Sequence, residues 1–260
     1  MKLSDQKKAT LKAFLLVAGR GERLRPLTDT IPKCLLPING TPLLQIWLEN
    51  LERACIDEVL INTHWLHGMV EEFVEEWSSC HRKMKISIFH EPTLLGSAGT
   101  LLANRQWVGS NPFFIIYGDN LTQLNLQNML AVHKKSGLPL TIRIYKGADP
   151  KRAGIVCIGE NDIVTDFEEK PDTPKSDLGA GGIYVADSGI FDFFPKSHDV
   201  VKDGALDLSY HVLTCMAGHM KAYDSGEFSI DIGTPEAYEK AQAVCADLMN
   251  TDSRTGKFEF

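Results

Sequence analysis

The stretch AFLLVAGRGERLRPLT (13–28) joins a short apolar run to a loop rich in glycine and arginine. Its first six residues are apolar without interruption, which is typical of a buried strand. Gly19 and Gly21 follow at once, and they allow the backbone to turn tightly and to approach a ligand closely. The stretch therefore predicts a strand that ends in a ligand-binding loop.

The loop also carries a cluster of positive charge. Arg20, Arg23 and Arg25 lie within six residues, and Lys33 follows in IPKCLLPI (31–38). Backbone N–H groups combined with guanidinium and ammonium groups form a cradle for anions. Because ligands bind at the carboxyl ends of strands in open α/β sheets, we predict a phosphate site here.

Two other phosphate loops are excluded by spacing. The Gly-x-x-x-x-Gly-Lys-Ser/Thr pattern of the P-loop does not occur in the chain. The dinucleotide-binding fingerprint requires a third glycine, and Leu24 stands at that position.

Composition limits the class of protein. The chain has 260 residues, of which 43% are hydrophobic and 23% charged, as in ordinary globular proteins. Its net charge of −7 argues against nucleic acid as a partner. The apolar run near the N-terminus is too short for a signal peptide, and no segment has the length of a membrane span. We expect a soluble, cytoplasmic protein that has no membrane partner.

The cysteines and histidines show no metal-binding pattern. Six cysteines are scattered, and neither Cys-x-x-Cys nor His-Glu-x-x-His occurs. For His64, Trp65 and His67 the sequence favours a surface or helix-start role over metal binding.

Strand and helix patterns alternate in the first half of the chain, which predicts βαβ units and a mostly parallel sheet. The predicted strands there are 13–18, 58–62, 85–89 and 113–117, and the predicted helices are 43–54, 66–77 and 96–105. The second half has strand patterns at 140–145, 154–158, 163–168 and 182–186, and helix patterns at 208–217 and 235–250.

These patterns predict an α/β fold. We expect a three-layer α/β/α sandwich with a mixed, mainly parallel central sheet and a small β-rich part. The chain has no clear internal boundary, so residues 1–250 are interpreted as one domain and residues 251–260 as a polar tail.

Six motifs in one order resemble the signature of the sugar-phosphate nucleotidylyltransferase family. After the loop, the resemblance continues through LLGSAGTL (94–101), YGDN (117–120), FEEKP (167–171), GGIYV (181–185) and DIGTPEAY (231–238). It covers about residues 12–245. One departure is Ala18, where many members of the family carry glycine.

The resemblance implies a reaction and a division of the chain. The reaction transfers a nucleoside monophosphate from an NTP to a sugar 1-phosphate, and it releases pyrophosphate. Residues of about 12–135 would form a nucleotide-binding half of a Rossmann-like fold, and about 136–245 a sugar-phosphate half. Such a reaction needs no general base, because the attacking phosphate oxygen is already an anion.

The resemblance also implies roles for individual residues. Arg23 and Lys33 would be catalytic, through contacts with the phosphates. Nucleotide binding would fall to Ala18, Gly19, Arg20, Gly21, Gly96, Ser97 and Gly99. The sugar phosphate would be bound by Gly154, Glu169, Lys170 and Gly182.

The predicted cofactor is Mg²⁺. Asp119 follows a buried strand and Gly118, so its carboxylate is well placed as a metal ligand at the sheet edge. Asp231 is the second carboxylate that the resemblance implies. The substrates would be an NTP and a sugar 1-phosphate, and a homo-oligomeric state stays open.

The sequence gives a less specific signal for the identity of the nucleotide and the sugar. The motif LGSAG and the stretch INTHWL (61–66) favour guanylyltransferases that act on mannose- or heptose-type phosphates. Uridylyl- and thymidylyltransferases share the core motifs. A non-catalytic nucleotide-sugar-binding subunit and a metal-dependent glycosyltransferase are further alternatives. The intact charged residues argue against the first, and the absence of Asp-x-Asp argues against the second.

Overall fold

The structure is a computed structural model that describes residues 10–196 and 204–252. The strands are β1 Lys12–Leu16, β2 Pro37–Ile38, β3 Thr41–Pro42, β4 Glu58–Thr63, β5 Lys85–His90, β6 Phe113–Tyr117, β7 Asn120–Thr122, β8 Leu140–Lys146, β9 Gly154–Ile158, β10 Val164–Glu169, β11 Leu178–Ala186, β12 Met220–Tyr223 and β13 Ser229–Asp231. The α-helices are α1 Leu43–Arg53, α2 His67–Cys80, α3 Ser97–Ala103, α4 Arg105–Val108, α5 Leu126–Ser136, α6 Leu208–His211 and α7 Pro235–Asp252.

Nine of the strands form one mixed sheet. Its main path runs β10-β9-β11-β6-β1-β4-β5, while β8 pairs with β11 and β12. The four strands β6, β1, β4 and β5 are parallel, whereas β9, β10 and β11 extend the sheet by antiparallel pairing. Leu16 lies beside Asn62 on one side and Tyr117 on the other. The loops after three central strands therefore meet at one edge.

Helices cover both faces of this sheet. Alternate residues of β1 point to opposite faces, so Ala13 and Leu15 belong to one buried cluster and Phe14 and Leu16 to another. The first cluster includes apolar residues of α1, α2, α5 and α7, and the second those of α3, α4 and α6. The predicted three-layer sandwich with a sheet that is parallel at its core is thus confirmed.

Three helix predictions need correction. Helix α5 was not expected, although Asn125 caps its start by accepting from the Asn128 N–H and Gly137 ends it in a left-handed conformation. The expected helix 96–105 ends at Ala103, and α4 begins two residues later. The expected helix 208–217 consists of α6 and a separate 3-10 turn. The break falls at Val212, which is β-branched and fully buried, and whose φ of −119° leaves the helical range.

The last described helix, α7, reaches into the segment expected to be a polar tail. Helix α7 extends to Asp252, so the first two residues of the expected tail are helical. Residues 253–260 lie outside the described residues. Within 10–196 and 204–252, no helix has the length and apolar character needed to cross a membrane.

Candidate active site

The loop after β1 depends on one glycine. Gly21 has a φ of +66° and lies directly before a 3-10 turn, Glu22–Leu24. Its carbonyl accepts hydrogen bonds from the Leu24 N–H and the Thr28 hydroxyl, at 2.9 and 2.8 Å. A Cβ atom at this position would lie 2.8 Å from the Thr28 methyl group. Glycine is therefore required, and the turn leaves Arg20 and Arg23 exposed at the rim.

A lysine and two carboxylates meet at the same edge. Lys33 Nζ lies 2.6 Å from Asp119 Oδ2 and 3.5 Å from Asp231 Oδ1. Asp119 follows β6, while Asp231 ends β13. Antiparallel pairing of β13 with β7 places Asp231 opposite Asn120, the residue after Asp119. This pairing explains how two carboxylates so distant in sequence come together.

The environment of Asp231 disfavours its negative charge. Loss of solvation in the site, followed by repulsion from Asp119, raises the pKa of the Asp231 carboxyl group. The Lys33 charge, the Gly233 N–H at 2.7 Å and the charge of Arg23 act in the opposite direction. A Cβ atom on Gly233 would lie 2.7 Å from a terminal nitrogen of Arg23. The guanidinium of Arg23 thus lies directly against the turn that follows Asp231.

Three neighbouring cavities share Asp119. The strand-end cavity, of about 310 Å³, lies over the carboxyl ends of β1, β4 and β6. The loop cleft, of about 430 Å³, lies beside the turn at 19–23. The extension cavity, of about 250 Å³, lies over the antiparallel part of the sheet. Asp119 lines all three, so the lysine–carboxylate cluster stands where they join.

Most of the predicted site residues line these cavities. The strand-end cavity contains Ala18, Gly19, Lys33, Gly96, Ser97 and Asp119. The loop cleft contains Gly19, Arg20, Gly21, Arg23, Lys33 and Asp119. The extension cavity contains Asp119, Gly154, Glu169, Gly182 and Asp231. Most of the residues predicted to bind the nucleotide therefore lie on one side of the lysine–carboxylate cluster. Gly154, Glu169 and Gly182, predicted to bind the sugar phosphate, lie on the other side.

Gly99 and Lys170 do not line these cavities. A Cβ atom on Gly99 would lie 2.9 Å from Leu95 Cβ, so this glycine allows α3 to lie close to the segment that precedes it. Lys170 has a φ of +49°, which breaks the extended backbone between strand β10 and Pro171. That break turns its Nζ to within 3.3 Å of Glu169 Oε1 and 5.8 Å of the Tyr210 ring. Both side chains of the pair thus lie on one side of the backbone.

Glu169 lies in a confined position on the wall of the extension cavity. Its side chain is only 10% exposed. Burial raises the pKa of this carboxyl group, against the opposing charge of Lys170. A Cβ atom on Gly154 would lie 2.7 Å from Glu169 Oε2, so the glycine leaves room for the carboxylate. The carboxylate faces the cavity as a hydrogen-bond acceptor.

Arg143 is a residue of the extension cavity that the sequence analysis missed. It is 2% exposed, and burial lowers the pKa of its guanidinium. One terminal nitrogen donates to the Glu227 carbonyl at 3.0 Å, while Nε has no hydrogen-bond partner in the described residues. A Cβ atom on Gly181 would lie 2.5 Å from the other terminal nitrogen. Arg143 lies within the strand pattern of β8, where the sequence gives no separate motif. The only signal of a role is its position between the buried apolar residues Ile142 and Ile144.

Glu91 is a second missed residue, on the wall of the strand-end cavity. It is 1% exposed, and its Oε1 accepts from the Asn62 amide at 2.9 Å and from the Thr100 hydroxyl. Its Oε2 accepts from the Leu95 N–H at 2.9 Å. A carboxylate offers about four acceptor positions, so roughly one remains for a further donor. The stretch HEPT (90–93) contains no sequence signal for this network.

The carboxylate pair fits a magnesium ion by its chemistry. Asp119 and Asp231 offer hard anionic oxygen atoms, the ligands that Mg²⁺ takes in proteins together with phosphate oxygens and water. Lys33 Nζ already lies near both carboxylates, which shows that a positive charge is accommodated between them.

Comparisons with known proteins place the chain in a family. The fold matches nucleotidyltransferase structures. A UDP-glucose pyrophosphorylase complexed with UDP-glucose is 22% identical and has a TM-score of 0.79, with 92% of this chain and 99% of that chain covered. HddC from Yersinia pseudotuberculosis complexed with GMP-PN is 21% identical and has a TM-score of 0.69, with 90% and 99% covered. At these identities the likeness concerns the fold alone.

The chain belongs to the Nucleotidyl transferase family, whose model matches residues 12–247. It is thus a nucleotidyltransferase-family enzyme. The catalytic subunit beta of mannose-1-phosphate guanylyltransferase from Xenopus tropicalis is 30% identical over 233 residues. That match covers 88% of this chain and 62% of the relative, so the chain spans less than two thirds of the relative's length.

Proposed function

We propose that this enzyme transfers a nucleoside monophosphate from an NTP to a sugar 1-phosphate, with release of pyrophosphate. The observation that carries the proposal is the cluster of Lys33, Asp119 and Asp231 at the junction of the three cavities. Two phosphate-bearing substrates that bind in opposite cavities would bring their phosphates together at this junction. The sequence motifs and the family membership support the same reaction.

The chemical step is a displacement at the α-phosphorus. An oxygen atom of the sugar 1-phosphate forms a bond to this phosphorus, the bond to the bridging oxygen of the β-phosphate breaks, and pyrophosphate leaves with that electron pair. The nucleophile is an anion at neutral pH, so no proton has to be removed from it. The main barrier is the repulsion between two polyanions, which fixed positive charges and correct positioning reduce.

Positive side chains of the chain would supply much of this stabilisation. Arg23 stands at the rim of the loop cleft, where its planar guanidinium can bind the leaving pyrophosphate in a bidentate manner. Lys33 is mostly buried at the junction and can place its ammonium group beside the α-phosphate. Its present carboxylate partners are the residues to which we assign the metal. We infer that Lys33 moves from these carboxylates to phosphate oxygens when both substrates and the metal are bound.

Asp119 and Asp231 would hold Mg²⁺, which when bound neutralises phosphate charge and supports the geometry of the reacting groups. The geometry of the pair supports this assignment: both carboxylates lie within 3.5 Å of one positive charge, and a cation between them would offset their mutual repulsion, which is the second cause of the raised pKa of Asp231 after loss of solvation.

We assign the sugar to the extension cavity. Glu169 can accept hydrogen bonds from ring hydroxyls. Gly154 leaves room beside this carboxylate, and Gly182 leaves room beside Asn120 in the same cavity. Arg143 supplies a buried donor that has one backbone partner. Lys170 lies outside the cavity lining, beside Glu169, and would turn from Glu169 to the sugar phosphate. This half of the site corresponds to residues of about 136–245, and the nucleotide half to about 12–135.

We assign the nucleotide base to the strand-end cavity and propose guanine. Guanine presents adjacent N–H and NH₂ donors, and the acceptor position left on Glu91 suits such a group. The name of the Xenopus tropicalis relative supports a guanylyltransferase that acts on mannose 1-phosphate, and the sequence motifs add heptose-type phosphates as candidates. Glu91→Gln should reduce the preference for GTP over other nucleotides. An unchanged preference would remove Glu91 from base recognition.

The proposal can be tested by pyrophosphate release. ATP, CTP, GTP, UTP and dTTP would each be combined with mannose, glucose, glucosamine and heptose 1-phosphates and with Mg²⁺. Release that requires both substrates, and formation of the matching NDP-sugar, are expected. Preference for UTP or dTTP would select the uridylyl- or thymidylyltransferase alternative. Binding without turnover for every pair would favour a non-catalytic subunit, and release of free nucleotide from an NDP-sugar would favour a glycosyltransferase.

A further inference from the structure

Two histidines and a glutamate meet at the surface outside the proposed active site. His67 and Glu71 lie in the first turns of α2, and His90 ends β5. One potential ligand atom from each lies within 4.8 Å of the other two. His67 Nδ1 is 3.0 Å from Glu71 Oε1, and the ring centroids of His67 and His90 are 4.1 Å apart.

The fold holds these three side chains together through the spacing on α2 and the short loop between β4 and α2. His67 and Glu71 are four residues apart, so their side chains lie on the same face of the helix. His90 pairs in register with Thr63, the last residue of β4. Only three residues separate β4 from α2, and the last of them, Leu66, has a φ of +50° that starts the helix abruptly. The first turn of α2 is therefore held beside the end of β5.

The ring of His90 is available for a ligand. It is exposed, and its nitrogen atoms have no hydrogen-bond partner within residues 10–196 and 204–252. The side chains of His67 and Glu71 are 48% and 41% exposed, so only their mutual contact would have to open. Because these three side chains are open to water, solvent can complete the coordination of an ion.

The ligand atoms select a class of ion. Two imidazole nitrogens and one carboxylate oxygen suit divalent ions such as Zn²⁺, Co²⁺ and Ni²⁺, whereas Mg²⁺ prefers oxygen ligands alone. A site with three protein ligands and water in the remaining position is a common arrangement for zinc. The ion of this site is therefore expected to differ from the ion of the aspartate pair.

The site adjoins the strand-end cavity through the backbone. Glu91, which follows His90, lines that cavity, and its N–H donates to the Thr63 carbonyl at 2.8 Å. On the helix side, Trp65 donates from its indole nitrogen to the Thr28 carbonyl at 2.8 Å. An ion that links α2 to β5 would thus stabilise the contact of Glu91 with Thr63 and the contact of Trp65 with Thr28.

We propose that His67, Glu71 and His90 form a binding site for a divalent ion of the zinc class, which fastens the start of α2 to the end of β5. The proposal does not depend on the nucleotidyl transfer reaction, since it rests on these three side chains alone.

The test is titration of untagged, chelator-treated protein with Zn²⁺, in which the heat of binding is measured by isothermal titration calorimetry. We expect one ion per chain whose binding depends on this cluster, with at least tenfold weaker binding of that ion in each of His67→Ala and His90→Ala. Glu71→Gln keeps the size of the side chain and should also weaken binding. His219→Ala is the matched control, because His219 is an exposed histidine beside Phe193, outside the cluster. A Zn²⁺ concentration about a hundredfold above Kd should raise Tm by several degrees in the wild type and in His219→Ala, but not in the variants of the cluster.

Two outcomes would overturn the proposal. One is the absence of saturable Zn²⁺ binding, and the other is equal binding by His90→Ala and the wild type. Exposed cysteines such as Cys55 and Cys80 are the competing ligands. Co²⁺ distinguishes them, because an intense thiolate-to-cobalt absorption band would assign the ion to cysteine. The proposed site is supported by a Co²⁺ spectrum that lacks this band in the wild type and that disappears in His67→Ala.

Discussion

Lys33 donates a hydrogen bond from its Nζ to Asp119 Oδ2 at 2.6 Å, at the point where the three cavities join. The ammonium group is thus held on the carboxylate pair to which we assign Mg²⁺. It is only 11% exposed, so removal of its partners would leave a mostly buried charge. If the two carboxylates hold a metal ion, Lys33 would turn to phosphate oxygens, so its ammonium group would keep a negatively charged partner.

Lys33→Ala should have opposite effects on turnover and on metal binding. Loss of a preorganised positive charge at the reacting phosphates is expected to reduce turnover by roughly 10²–10³. The ligand-free variant should bind Mn²⁺ more tightly than the wild type, since no ammonium group competes for the carboxylates. Turnover and Mn²⁺ titration would be measured together, with Lys83→Ala, an exposed lysine before β5, as the control. Weaker Mn²⁺ binding in Lys33→Ala would contradict the exchange of partners.

Arg23→Ala should lose turnover by roughly 10²–10³ without a loss of stability. Arg23 is exposed, and its guanidinium lies against Gly233 at the rim of the loop cleft. The control is Arg25→Ala, because Arg25 belongs to the same loop but pairs with Asp29 at 3.2 Å. Steady-state rates and Tm would be compared for both variants. Normal turnover in Arg23→Ala would remove this residue from the proposed catalytic set.

Sequence patterns predicted the fold well where they are local. Uninterrupted apolar runs predicted β1 and β6, and helical spacing predicted α1 and α2, because burial on one or both faces leaves a direct periodic signal. The break at Val212 had no such signal, since the helical spacing of apolar residues runs through this buried position without interruption. Helix α5 did carry cap signals at Asn125 and Gly137.

The site was less predictable than the fold. Glycines and charged motifs indicated the loop, Asp119 and Glu169, because those residues stand at strand ends. Arg143 and Glu91 are single charged residues inside or beside apolar strands, and only the tertiary structure shows that they face cavities. Likewise, the contact of Lys33 with Asp231 depends on the pairing of β13 with β7, which involves segments far apart in the chain.

Glu169→Gln should raise stability at neutral pH. Burial raises the pKa of Glu169 above the ordinary 4.5, so the folded state binds this proton more tightly than the unfolded state does. The stability of the wild type therefore falls as pH rises from about 4.5 to the raised pKa, while glutamine has no such dependence. The Tm advantage of the variant should grow between about pH 4 and about pH 7.

Glu168→Gln is the control for this experiment, because Glu168 is the exposed neighbour on β10. Its Tm should follow the wild type at each pH. A Tm advantage of Glu169→Gln that is constant with pH would argue against a raised pKa. The variant should also raise KM for the sugar 1-phosphate, because glutamine accepts hydrogen bonds more weakly than a carboxylate.

Lys170→Ala should raise KM for the sugar 1-phosphate more than KM for the NTP. The lysine adjoins Glu169 at the wall of the extension cavity, and its strained φ holds it there. Lys175→Ala removes an exposed lysine that pairs with Asp166, and it should leave both values unchanged. Initial rates with each substrate varied in turn would provide both KM values. A selective rise of KM for the NTP would show that the two cavities are assigned in reverse.

Asp119→Asn and Asp231→Asn should each lose activity in a way that excess Mg²⁺ partly restores. Asparagine keeps the size and one acceptor oxygen but removes the charge, and Mg²⁺ prefers anionic oxygen ligands. Phosphate oxygens of a bound NTP would remain as ligands, so a high Mg²⁺ concentration can refill the site. A purely structural role predicts little change, because asparagine and aspartate cap turns about equally well. Initial rate would be measured against Mg²⁺ concentration for both variants and for Asp162→Asn, which removes an exposed carboxylate paired with Lys221. Mg²⁺ curves that coincide with the wild type in both variants would reject the metal assignment and leave the arginine–lysine cradle as the supported part of the site.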